Sequence, residues 1–230
     1  YDQIIHDIAL SGIPVTVCID RAGIVGNDGE THQGIFDLSF LSSIPNIVIM
    51  APKNFEELDK MLEFGVNLDK PVFIRYPRGG ENFSFESTED IELGKAEIVQ
   101  EGTDLSIIAI GNMVGRAEEV ASLLPEKSVE IINARFLKPL DEETILNSIR
   151  KTGYCITIED NLLKGGLGSA VVEAVNKSDI QDVKIKNFGY DDTFVEHGTV
   201  KELEDKYGLS AEKISGKLFT FTEMWDIIYR

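Results

Sequence analysis

Short apolar runs rich in β-branched residues recur along this chain with helix-length amphipathic segments between them, and that alternation restricts the fold to a parallel α/β type. In the first third, Val15–Ile19, Ile47–Met50 and Val72–Arg75 read as strands. Tyr1–Leu10, Ile35–Leu41 and Phe55–Val66 read as helices, the first with Ile4, Ile5 and Ile8 on one face. A polar, acidic and aperiodic stretch beginning at Gly79 then breaks the pattern, and Ile91–Val99 looks extended. A second series follows, with strands at Leu105–Ile110, Val129–Asn133, Cys155–Glu159 and Val183–Phe188. Its helices are expected at Gly115–Leu124, Glu142–Lys151, Gly168–Asn176, Val200–Tyr207, Ala211–Ile214 and Glu223–Tyr229. The chain thus divides into a partial parallel-sheet domain over 1–84, a connection over 85–101 and a second α/β domain over 102–230 that is expected to fold unaided. Because the chain opens on a helix with no preceding strand, it is expected to begin inside a domain.

The 40 acidic residues outweigh 22 Lys and Arg, for a formal charge of −18 over 230 residues. A surface of that sign repels phosphate backbones and anionic lipid, so neither nucleic acid nor membrane is an expected partner. There is no apolar run long enough to span a bilayer and no basic-then-apolar leader, which points to a cytoplasmic chain. Cys18 and Cys155 lie in separate strand-like runs and are expected to be buried thiols. In so acidic a chain, local positive charge is informative.

One loop concentrates the chemistry. Asp20–Gly34, D-R-A-G-I-V-G-N-D-G-E-T-H-Q-G, holds one Arg, two Asp, one Glu, one His and four Gly between a strand and a helix. A connection that only turned a corner would be shorter and would need turn residues alone. Glycine-rich backbone beside groups that bind anions and move protons marks a functional loop on a rigid scaffold. Arg21 stands just after one strand and Arg78 just after another, in the turn R-Y-P-R-G-G. Parallel strands bring such positions to one sheet edge, where two guanidinium forks suit a phosphate dianion. Arg75, within its strand, is the weaker candidate and reads as a salt-bridged edge residue.

His32, four residues after Asp28, is the best-placed general acid or base of the three histidines. His6 reads as a packing or interface residue and His197 as a turn or capping residue. G-G-L-G-S-A at Gly165–Ala170 lacks the dinucleotide spacing and reads as close helix–strand packing. No cysteine or histidine spacing gives a metal site, and G-N-D-G at Gly26–Gly29 has no following oxygen ligands to make one.

Several motifs in order carry a resemblance: Y-D-Q-I-I-H-D, I-D-R-A-G-I-V-G-x-D-G-x-T-H-Q-G, I-P-N-I-V-I-M-A-P, R-Y-P-R-G and F-V-E-H-G-T-V-K-E-L. Over essentially its whole length the chain resembles the 1-deoxy-D-xylulose-5-phosphate synthase family of the transketolase superfamily. The resemblance implies the C-terminal half of a transketolase-like pyrimidine-binding domain followed by a transketolase C-terminal-type α/β domain. It implies a transferase using thiamine diphosphate and Mg²⁺, with pyruvate and D-glyceraldehyde 3-phosphate as substrates, in a homodimer. Arg21 and Arg78 would hold the triose phosphate, while Asp28 and His32 would face the reacting centre as catalytic residues. The residues that bind the cofactor would lie upstream, leaving this chain inactive by itself. A 2-oxoacid dehydrogenase β-type subunit and a non-catalytic dimerisation module are the alternative readings.

Overall fold

The computed structural model describes residues 1–81, 83, 85 and 90–218. The helix expected at Glu223–Tyr229 lies outside the described residues.

The chain opens on a π-helical turn, Ile4–Ala9, closed by Leu10 N–H donating to Ile5 O at 2.9 Å and Ile13 N–H to Ile8 O at 3.2 Å. The wider i→i+5 winding replaces the expected α-helix. Ile4, Ile5 and Ile8 still pack against the core as their spacing predicts. Strands β1 (Thr16–Ile19), β2 (Val48–Met50) and β3 (Val72–Arg75) follow, with helices α1 (Asp37–Ser42) and α2 (Phe55–Asn67) between them. Asn54 caps α2 by accepting from Glu57 N–H at 2.8 Å, one of the donors a helix start leaves free.

The first sheet runs β1-β3-β2-β7, its first three strands parallel. Its fourth strand comes from much later in the chain: β7 (Phe136–Lys138) lies antiparallel to β2. The second sheet runs β4-β6-β5-β8-β9, where β4 is Glu97–Gln100, β5 Leu105–Ala109, β6 Val129–Asn133, β8 Tyr154–Leu162 and β9 Lys184–Tyr190. Only β4, antiparallel to β6, departs from parallel pairing in that sheet. It falls within the stretch read from sequence as connection. Helices α3 (Met113–Ser122), α4 (Glu142–Thr152), α5 (Leu167–Lys177) and α6 (Val200–Tyr207) complete the second series, followed by helical residues 211–218. Asp141 caps α4, and Thr199 with Glu202 forms a capping box at α6.

One hydrophobic cluster joins the two sheets: Leu38, Leu41, Ile49 and Phe73 pack with Ile108, Ile132, Ile149 and Leu167. Beside it sits a buried ionic group. Glu57 on α2 accepts from Arg135 Nε at 2.8 Å and from Asn133 Nδ2 at 3.0 Å, and Lys53 pairs with Glu97 on β4. Two cations and two carboxylates cancel, which is the condition for burying such charges. Cys155 is buried as expected, but Cys18, on the edge strand β1, is exposed.

Candidate functional site

β1 and β3 are hydrogen-bonded neighbours, with Ile19 opposite Arg75. Their parallel course therefore delivers Arg21 and Arg78 to the same edge of the sheet. Between them stands Asp28, on a 3₁₀ turn formed by Gly26–Asp28. Asp28 pairs with Arg78 and lies 3.8 Å from Arg21 Nε. Arg78's hydrogen bond, helped by the fields of Arg78, His32 and Arg21 and opposed by partial burial, holds the Asp28 carboxyl below its ordinary value. Arg21 and Arg78 are both about half exposed, so the cluster is open to a ligand. Arg21 also adopts φ 58°, a left-handed conformation that costs a residue with a Cβ about 1–2 kcal/mol.

His32 lies on the next 3₁₀ turn, Glu30–His32, and its Nδ1 is 2.9 Å from Thr31 Oγ1. Its imidazole is exposed on the same loop as Asp28. Thus the structure gathers Arg21, Asp28 and Arg78 into one ion-paired group with His32 on the adjacent turn. His6 is exposed on the opening turn. His197 lies in the turn that leads to α6, within van der Waals range of where a Cβ on Gly29 would stand; the capping itself is done by Thr199.

The loop's neck is fixed by contacts that the sequence does not disclose. Gly23 and Gly34 exchange two N–H···O bonds of 2.7 Å. Arg75, 3% exposed, donates to Asp37 Oδ2 at 2.6 Å, to Gly34 O at 3.3 Å and to the Asp160 carbonyl at 3.1 Å. It is salt-bridged as expected, but at the centre of the sheet rather than its edge. Gln33 accepts from Val25 N–H at 2.8 Å and donates to Glu196 O at 3.1 Å. The neck thus touches both domains.

Behind the neck, Glu159-Asp160-Asn161 near the end of β8 are all buried. The Glu159 carboxylate accepts from the first N–H groups of α5, Leu167 at 2.8 Å and Gly168 at 2.9 Å. Burial nevertheless outweighs those bonds and raises its pKa to about 8. A Cβ on Gly166 would overlap this carboxylate, and one on Gly168 would press on Asn187 of β9. The Gly165–Ala170 motif is therefore close packing, as its spacing indicates. The domains also enclose an open cleft of about 1010 Å³, whose walls include Tyr76, Arg78, Asn112, Arg116 and Asp160.

Residues 1–81 match the pyrimidine binding domain of transketolase, and residues 94–214 match the transketolase C-terminal domain. The chain belongs to the transketolase family. It is 48% identical over 219 residues to a 1-deoxy-D-xylulose-5-phosphate synthase of Halothermothrix orenii, covering 93% of this chain and 34% of that protein. A synthase of the same name from Geobacter metallireducens is 44% identical over 225 residues, 96% of this chain and 36% of that one. The chain therefore spans about a third of the length of these transketolase-family relatives. Among solved structures, a split-gene transketolase described as an inactive β4 tetramer superposes with a TM-score of 0.85 at 28% identity, covering 94% of this chain and 69% of that one. A Campylobacter jejuni transketolase shares the fold, with a TM-score of 0.69 at 21% identity over 89% of this chain and 31% of its own.

Proposed function

We propose that this chain is the C-terminal part of a 1-deoxy-D-xylulose-5-phosphate synthase, condensing pyruvate with D-glyceraldehyde 3-phosphate and releasing CO₂. The observation that carries this reading is the Arg21–Asp28–Arg78 cluster at one sheet edge. Asp20 pairs with Arg21 as Asp28 pairs with Arg78, so each guanidinium is held in place by a carboxylate while staying half exposed, in a chain of net charge −18. A phosphate dianion entering there gains fork-like donors, and Asp28 is left free to accept from a substrate hydroxyl. By this reading His32, on the adjoining turn, exchanges a proton with the aldehyde oxygen as the new bond forms. The names of the relatives favour this reading over a dehydrogenase β-type subunit or a dimerisation module.

Thiamine diphosphate, when bound, would supply the carbanion chemistry that the protein cannot. Among the described residues no group of three His, Cys, Asp or Glu is arranged to hold a metal ion. These residues therefore do not fit the Mg²⁺–diphosphate end of the cofactor, and this chain's share of the reaction is at the substrate end. By that reading the chain alone is inactive, and the working enzyme is a homodimer of the complete protein. The test is CO₂ release from pyruvate by the complete enzyme. Release that depends on D-glyceraldehyde 3-phosphate supports the reading, and equal release with a lipoyl acceptor alone overturns it.

A further inference from the structure

The neck of the Asp20–Gly34 loop is held from the second domain by one side chain. Asp160, near the end of β8 and 3% exposed, accepts from Ile24 N–H through Oδ1 at 3.3 Å. Its other oxygen, Oδ2, lies so close to the Gly23 Cα that a Cβ there would overlap it. Gly23 is at φ +76°, a conformation that glycine adopts without the penalty a side chain would bring. The Asp160 backbone carbonyl is engaged as well, accepting from Arg75, which also reaches Gly34 on the other side of the neck. Both strands of the neck, Gly23–Ile24 and Gly34, are thus tied to a single residue of β8, the first directly and the second through Arg75. Burial raises the Asp160 carboxyl above its ordinary value, as expected of a group placed for its geometry rather than its hydration.

We propose that Asp160 is a positioning residue for the triose-phosphate site, setting the height of the loop neck so that Arg21 and Asp28 meet Arg78. Asp160 holds the loop through the backbone of Gly23 and Ile24. The second domain therefore takes part in substrate specificity without lending a group to the chemistry. A shift of about 1 Å in a remote support can cost on the order of 100-fold in rate. Such a shift would fall on the phosphorylated aldehyde, because the residues that move are those that hold it. This inference rests on the reading proposed above.

The test uses the complete enzyme with Asp160→Ala, Asp160→Asn and Gly23→Ala. Asp160→Ala should lower kcat/KM for D-glyceraldehyde 3-phosphate by about 10- to 100-fold while the KM for pyruvate stays within about twofold. Asp160→Asn keeps an oxygen that accepts from Ile24 N–H and should recover most of that loss. Gly23→Ala pushes the neck off Asp160 without altering β8, and should reproduce the selective loss even if Asp160→Ala does not fold. Unchanged triose-phosphate parameters in Gly23→Ala overturn the proposal, and so does an equal loss for both substrates in the Asp160 variants. Arg21→Ala measured alongside separates the two claims. If it alters triose-phosphate use and the Asp160 variants do not, only the positioning role fails; if none of them does, the phosphate site itself is misassigned.

Discussion

Asp28 and Arg78 form an ion pair that ties the loop after β1 to the turn after β3. A carboxylate so placed holds its arginine in a fixed direction before any ligand arrives. Arg21 approaches the same carboxylate from the other side. Arg21→Ala and Arg78→Ala in the complete enzyme should each weaken use of D-glyceraldehyde 3-phosphate and spare pyruvate. A hydrogen bond to a charged group contributes roughly 1.5–3 kcal/mol, or about 10- to 150-fold. Steady-state kinetics with each substrate varied in turn reads this directly, and unchanged KM for the phosphorylated aldehyde in both variants would refute it.

His32 should affect turnover more than binding. A group that moves a proton in the transition state contributes about 10²–10⁴-fold. kcat of His32→Ala at saturation is the measurement, and a loss below about threefold would assign His32 to loop structure alone.

Glu159 makes stability depend on pH in a direction opposite to that of a paired carboxylate. Its folded pKa is raised to about 8 by burial, whereas in the unfolded chain it titrates near its ordinary value. Between about pH 4.5 and 8 the folded chain therefore holds a proton that the unfolded chain does not. Glu159 thus removes up to about 1.4 kcal/mol of stability for each unit that the pH rises in that window. Glu159→Gln cannot ionise, so its denaturation midpoint should fall less steeply from pH 5 to pH 8 than the parent's. Parallel pH profiles for the two would show that Glu159 is ionised throughout.

The buried group around Glu57 predicts a different failure. Arg135→Met removes the cation facing Glu57 and Glu97. Breaking a buried pair by deleting one partner costs about 3–5 kcal/mol, whereas replacing all charged members by apolar residues can be nearly neutral. Chemical denaturation of Arg135→Met beside a variant with Lys53, Glu57, Glu97 and Arg135 all made apolar separates the two. Equal destabilisation of both would argue that packing, not charge, sets the energy.

Much of this was legible in the sequence where chemistry and periodicity coincide. β3 and α6 fall at Val72–Arg75 and Val200–Tyr207 as expected, because a short apolar Val-Phe-Ile run marks the first and a capping pair the start of the second. Arg21, Asp28 and Arg78 were visible because charge in a glycine-rich loop is unusual. Strand order was not, since no local signal says that β1 lies beside β3. The extended reading at Ile91–Val99 overlaps β4 without revealing its antiparallel pairing, and β7 was missed. A segment as short as Phe136-Leu-Lys138 has no period to read, and its pairing with β2 is decided entirely by tertiary contact. Asp160 drew no notice and Arg75 only as a salt-bridged strand residue, because what distinguishes them is the backbone they touch.

β7 bears on how the protein can be cut. It belongs by chain order to the second series but completes the first sheet, and Arg135, one residue before it, is buried on Glu57 of α2. A piece beginning near Leu105 would carry this strand with its partner missing, exposing the unpaired amides that invite strand addition by another chain. Dissection at residue 101 should therefore yield a self-associating product rather than a clean monomeric domain. A division made upstream of β1 would leave β7 beside β2.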